Sequence, residues 1–312
     1  ISGNIDIDGT TNLDVVDIDG AVDMASTLTV AGVVTVSDGS ASAPSITNVG
    51  DTNSGLYFPA DDNVGLVIGG SRKLLANSSG VTINNGDLTL PDGTDLITGS
   101  AGTSNFRAGV NAGNSITSGG NRNTLVGDEA GTAITTGDDN TTFGYAAGDA
   151  ITTAVENTAL GSHALSAVTT GNSNTAIGMN AGLLITTGTN NVAVGPYALT
   201  TMTTSDYNTA VGRSAGRVIT TGSQNTLIGG LAGDALTDAD FNAAVGVGAL
   251  GADTLGSRST AVGQQALGLQ NFTSATDTYN TAVGFFAGLN VTTGIRNTLV
   301  GGLAGDALTD AD

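Results

Sequence analysis

The chain has 312 residues, 48 of them glycine, a formal charge of −20, 4% aromatic residues, and neither cysteine nor tryptophan. With one lysine (Lys73) and seven arginines, it lacks the basic face that nucleic acid or an anionic membrane surface requires. No disulfide or thiolate metal site supports the fold, and no apolar run reaches the length of a membrane span.

Residues 1–36 alternate apolar residues with Asp or Thr, as in Ile5-Asp-Ile7-Asp and Val16-Asp-Ile18-Asp, with turns at Gly9, Gly20 and Gly32. This is the period of two that marks half-buried strands. A lone chain of this composition buries little surface, so the expectation is a slender β shaft of intertwined chains. Residues 37–104 read as a small β module and linker. Gly50-Asp-Thr-Asn-Ser-Gly-Leu-Tyr-Phe-Pro59 holds the densest aromatic cluster. Strands are expected at Val64–Ile68, around Lys73, at Gly80–Ile83 and at Asp87–Leu90, with turns at Gly69-Gly70 and Pro91-Asp-Gly93. Tyr57 and Phe58 are expected in the core of a seam between chains.

Residues 105–312 repeat one phrase: Asn-Thr-Ala-Val-Gly-x-x-Ala-Gly/Leu, then Ile-Thr-Thr-Gly. Its twelve copies start at Asn105, Asn123, Asn140, Asn157, Asn174, Asn191, Asn208, Asn225, Asn242, Ser259, Asn280 and Asn297. Most steps are 17 residues, the first is 18, and that from Ser259 is 21. A fixed step means a stacked array rather than a globule with one core. Asn opens eleven copies; the fifth position is Gly and the eighth Ala in all twelve. Representative structural positions are Asn123, Gly127 and Ala130; Asn140, Gly144 and Ala147; Asn174, Gly178 and Ala181; and Asn208, Gly212 and Ala215.

The physics of a coil follows. Asn-Thr-Ala-Val-Gly is a short strand, with its large fourth residue (Val126, Phe143, Leu160, Ile177) expected to point inward. The fixed Gly suits a positive φ or a close backbone approach. Ile-Thr-Thr is expected as a second strand, giving a two-strand-per-coil parallel roll that rises about 55 Å over twelve coils. The Asn side chains either stack as a ladder or hold the turn. The sixth and seventh positions vary freely, which marks solvent. The four residues added near Phe272 are expected to form a bulging loop. Asn225–Asp240 recurs at Asn297–Asp312 with one change.

The phrase resembles the left-handed parallel β-roll repeats of YadA-like trimeric autotransporter heads, and repeats in long bacteriophage tail fibres. The stretch from Gly50 to Ile83 is similar to phage tail-fibre sequence. The step of 17 departs from the shorter step usual in adhesin heads. The resemblance implies a parallel homotrimer around one axis, and with it an elongated all-β fibre segment.

Chemistry is thinly represented. The single histidine, His163, falls on a freely varying position with no partner for base catalysis. A Gly-x-Gly-x-x-Gly match at residues 246–251 lies in register with the repeat and opens no helix. No enzymatic activity is expected. Asp238 with Asp240, and Asp310 with Asp312, are Asp-x-Asp pairs that suit calcium; otherwise no cofactor is expected. Phe285, Phe286 and Phe272 are candidate contacts. The function expected is a structural one, a virion tail-fibre shaft holding a receptor-binding tip for host attachment. Its partners would be itself, other tail proteins, and a host receptor or glycan reached through a region outside these residues. The alternative is a bacterial surface adhesin whose roll binds host or matrix. Asp312 falls inside the twelfth repeat and the chain opens without Met, so it reads as a piece of something longer.

Overall fold

The computed structural model describes residues 30–48, 50–84 and 101–310. The shaft expected at 1–36, the strand at Asp87–Leu90, the turn at Gly93 and Asp312 lie wholly or largely outside them. The chain divides into two compact units, Ile1–Thr94 and Asp95–Asp312. Every regular element among the described residues is a strand.

The first unit is an antiparallel meander of five strands in sequence order: β1 (Ile46–Asn48), β2 (Asp51–Tyr57), β3 (Val64–Ile68), β4 (Ser71–Asn77) and β5 (Gly80–Ile83). Gly69 and Gly70, both with positive φ, make the β3–β4 turn as their sequence predicts. Tyr57 and Val67 are buried within the chain itself, on one face of the sheet. Tyr57 packs so closely on Gly65 that a Cβ there would meet its ring at 2.2 Å. Tyr57 is therefore core of the module, without need of a second chain. The opposite face carries a row in direct register across all five strands: Ile46, Leu56, Leu66, Leu74 and Ile83. Four of these five are exposed.

The second unit is a parallel β-solenoid. Its twelve three-residue strands run from Phe106–Ala108 and Thr124–Val126 through to Thr281–Val283 and Thr298–Val300, and pair strictly in chain order. Position-for-position register, as in Thr175↔Val192 and Ala176↔Ala193, holds across the coils, including the one with four extra residues (Thr260↔Thr281). Stacking starts slightly before the first full phrase, since Arg122 donates its amide to the Thr103 carbonyl.

Two expectations need correction. The third residue of each phrase, not the fourth, faces the core. Leu125, Ala159, Ala176, Ala210 and Leu227 are fully buried, while Phe143 is 54% and Leu160 43% exposed. Alternation along a strand forces this choice, and the size of the interior decides its sense. The core also receives the eighth residue (Ala181), the twelfth (Ile185) and, in some coils, a Leu at the ninth (Leu165, Leu199). Little more than a methyl then fits at the third. Leu occurs there only where the ninth is Gly: Leu125 with Gly131, Leu227 with Gly233, Leu299 with Gly305. The second correction is that each coil has one strand in the main sheet, not two. On the other side, Thr135, Thr152, Thr169 and Thr186 each donate an amide to a Thr carbonyl one coil on. Among the described residues, the one further strand pair of this unit, Gly256–Ser257 with Thr276–Asp277, lies just past that Thr column.

The fixed residues have distinct roles. Gly178 has φ +130, and a Cβ on it would lie 2.7 Å from the Gly195 carbonyl carbon one coil away. The Asn side chains do both things expected of them. Asn174 Nδ2 donates to the Gly188 carbonyl at 2.8 Å, tying the two sides of its own coil. Its Oδ1 accepts from the amide and Nδ2 of Asn191 in the next coil, both at 3.1 Å. This buried ladder runs from Asn105 to Asn242.

Candidate interaction surfaces

Asn123, Gly127, Ala130, Asn140, Gly144, Ala147, Asn174, Gly178, Ala181, Asn208, Gly212 and Ala215 all belong to the scaffold: the Asn and Ala side chains are buried and the Gly residues have φ from +126 to +137. Anything that meets a partner must come from the columns the scaffold leaves outside. Strand register stacks each coil position over its counterpart, so every outward position becomes a column with steps of about 4.8 Å.

The first column is the fourth position. Val126, Phe143, Leu160, Ile177, Val194, Val211, Ile228, Val245, Val262, Val283 and Val300 form one unbroken apolar stripe, each exposed or half-buried. The second comprises the sixth and seventh positions. Every seventh residue has positive φ, among them Glu129, His163, Tyr197 and Phe286. This turn leaves most of these side chains exposed or half-buried, with the small Ala146 and Ser214 as buried exceptions. Phe285 is 50% exposed and its ring stacks on Phe286 with centroids 4.0 Å apart. Tyr145 meets His163 edge-on, and the Ser162 hydroxyl lies 2.9 Å from His163 Nδ1.

The third column, missed in the sequence because the phrase was anchored one residue later, immediately precedes each Asn. It includes Arg122, Asp139, Glu156, Tyr207, Gln224, Phe241, Arg258, Tyr279 and Arg296, all with φ between +52 and +65. Amides in this column bond to the preceding coil, as Phe241 does to the Ser223 carbonyl and Arg258 to that of Asp240. Side chains in neighbouring coils touch. Arg122 forks onto Asp139 with two contacts of 2.7 Å, and that hydrogen bond holds the Asp139 carboxyl below its ordinary pKa. Arg258 sits 4.6 Å over the Phe241 ring.

The core also holds a buried polar cluster. Asp253 and Gln270 occupy the twelfth position, where other coils carry Ile, Val, Leu or Met, and both are fully buried. Gln270 Nε2 donates to Asp253 Oδ2 at 2.6 Å and to the Ser259 hydroxyl at 2.8 Å, while its Oε1 accepts from Asn280 Nδ2 at 2.8 Å. Asp253 Oδ1 accepts the amides of Gly256 and Phe272. Phe272, expected on a bulging loop as a contact, is instead 7% exposed; only neighbours such as Thr273 and Ser274 are out in solvent. The signal was available: two polar residues in a column that is otherwise apolar.

Of the proposed calcium ligands, Asp238 accepts the Thr221 hydroxyl at 2.5 Å, Asp240 accepts the Ser223 amide at 2.7 Å, and Asp310 accepts the Thr309 hydroxyl. In each of these carboxylates Oδ1 accepts a bond, between coils for Asp238 and Asp240 and within its own turn for Asp310. Among the described residues no group of three or more His, Cys, Asp or Glu is placed to hold a metal ion, and no helix is long and apolar enough to cross a membrane. No family model, curated protein or solved structure matches the chain.

Proposed function

We propose that this chain is a segment of a homotrimeric fibre, a phage tail-fibre shaft that spaces an attachment tip from the particle. The observation that carries the reading is the apolar stripe on the outer face of the solenoid sheet. A chain of charge −20 has ample polar residues, yet it places Phe, Leu, Ile and Val outside in coil after coil. Contiguous exposed apolar surface of this kind marks an interface. Burying roughly 40 Å² at each of these residues is worth about 1 kcal/mol apiece, or about 10 kcal/mol per chain before association costs. The apolar row across β1–β5 supports the same reading for the first unit. Symmetric self-association is the simplest partner for a repeated stripe, and the tail-fibre resemblance favours three chains.

Light scattering tests the assembly. A mass of three chains is expected, and the outward double variant Ile177→Asp with Val211→Asp should fall to monomer with unchanged circular dichroism. A native chain that stays monomeric overturns the trimer. Antibody raised against the roll should decorate fibres on purified virions; labelling of a bacterial surface instead would favour the adhesin.

A further inference from the structure

The column preceding each Asn changes character along the roll. Its early members are charged or small: Arg122, Asp139, Glu156, Ser173 and Asn190. From Tyr207 onward it reads Tyr207, Gln224, Phe241, Arg258, Tyr279, Arg296. The three aromatic residues are 61%, 43% and 52% exposed, although the chain has few aromatic residues to spend on solvent. They fall on alternate coils, because two strand pairings separate Tyr207 from Phe241 and two more separate Phe241 from Tyr279. Across the long coil Thr260 stays opposite Thr281, while just before them Ser257 pairs with Asp277, so Tyr279 is an added residue between the two pairings; counted in strand steps both intervals are two, roughly 10 Å. The coils between carry planar side chains rich in hydrogen-bonding groups, Gln224 and Arg258. Arg258 is held over Phe241 and bonded to Asp277 at 2.9 Å, and the Tyr279 hydroxyl lies 3.4 Å from the other Asp277 oxygen.

We infer that this column is a binding strip for a neutral β-linked polysaccharide. Exposed aromatic residues offer apolar surface to the C–H faces of pyranose rings, while Gln, Arg, Asp and phenol groups match sugar hydroxyls. The two-coil interval is close to the disaccharide repeat of an extended β-1,4 chain, so one glycan lying along the roll meets an aromatic residue at every second sugar. The rigid sheet fixes that spacing beforehand, which reduces the ordering cost of binding. The surrounding acidity disfavours polyanions, which points to an uncharged glycan. The strip does not depend on the fibre reading: it makes the roll itself a contact surface on whatever particle carries it.

The test is isothermal titration of the native protein with cellohexaose and with chitohexaose, using an α-1,6 dextran oligomer as control. Asn tolerates positive φ, so Tyr207→Asn, Phe241→Asn and Tyr279→Asn remove the rings while keeping the backbone. Binding of at least one β-1,4 hexasaccharide is expected, weakened about tenfold or more in the triple variant and unchanged in Glu156→Asn, in the charged part of the same column. Absence of binding by both hexasaccharides, equal binding of dextran, or full binding by the triple variant overturns the inference. Light scattering on the same samples separates the two readings: a trimer that binds no glycan removes the strip alone, and a monomer that binds it removes the trimer alone.

Discussion

Replacing Asn174 by Ala tests whether the buried ladder is what locks successive coils. Asn174 is fully buried. The substitution deprives the Asn191 amide of its Oδ1 acceptor at 3.1 Å and the Gly188 carbonyl of its donor at 2.8 Å. Asn191 Nδ2 also loses a bond but retains the Ser205 carbonyl at 2.8 Å. Two buried backbone groups are thus left unpaired, each costing about 1–3 kcal/mol, so a loss of about 4 kcal/mol is expected. An exposed Asn of the same coil, Asn190→Ala, should cost well under half of that. Because a solenoid can open coil by coil, urea unfolding should be accompanied by amide exchange at Asn191. That amide is expected to lose protection in the Asn174 variant before the sheet as a whole does. A cost below about 1 kcal/mol, with Asn191 still protected, would refute the ladder as a source of cohesion.

Gly178→Ala places a Cβ 2.7 Å from the Gly195 backbone at φ +130, whereas Gly301→Ala, at φ +129, meets its nearest atom at 3.9 Å. Urea titration should show the first costing about 3 kcal/mol or more and the second only the φ strain of about 1–3 kcal/mol; equal costs would remove the close-approach argument. Ala159→Leu should destabilise by about 1–3 kcal/mol through overpacking, and adding Leu165→Gly, which recreates the pairing of Leu125 with Gly131, should recover most of it; additive losses would contradict the shared volume. Burial raises the Asp234 pKa, with its own backbone hydrogen bond and Arg217 opposing. A carboxyl raised on folding weakens the fold above its folded pKa, and that weakening fades as pH falls toward its unfolded value. Asp234→Asn should therefore raise the melting temperature at neutral pH and flatten its pH dependence through the acidic range; a lower melting temperature would reverse the assignment.

The period, the register and the roles of Asn, Gly and Ala were legible because the chain is aligned with itself. Twelve copies show which atoms a coil cannot change. The facing of Ala176 against Ile177 was not legible, since hydrophobicity alone ranks Ile as the interior residue. Volume decides instead: Ala181, Ile185 and Leu165 already fill the layer. The same bias hides the outward columns. Ile177 and its counterparts were assigned to the core, and the column of Tyr207 and Phe241 sits between one phrase and the next, where a repeat reads as filler. The columns themselves are not encoded in local pattern; they exist only once register brings scattered residues together.

The long coil shows how the array tolerates irregularity. A regular coil needs Asn at its first position and an apolar residue at its twelfth. Here Ser259 replaces the Asn, and the ladder would stop at Asn242. Gln270 restores it from inside, bonding Ser259 on one side and Asn280 on the other, while Asp253 takes its remaining N–H and ties down Gly256 and Phe272 at the base of the added residues. The polar pair in the core is thus the device by which four extra residues are accepted without loss of register. Gln270→Leu, apolar and similar in size, should cost about 2–4 kcal/mol because it strands the Asp253 carboxylate oxygen in the core, whereas Ile185→Leu in a regular coil should cost less than about 1.5 kcal/mol. Amide exchange should quicken first at Phe272 and Gly256. If Gln270→Leu is as stable as the parent, the insertion is held instead by the pairing of Thr260 with Thr281 and by the Thr278 hydroxyl, which meets the Ser259 hydroxyl and accepts the Asn280 amide, and the Gln270–Asp253 pair is incidental to it.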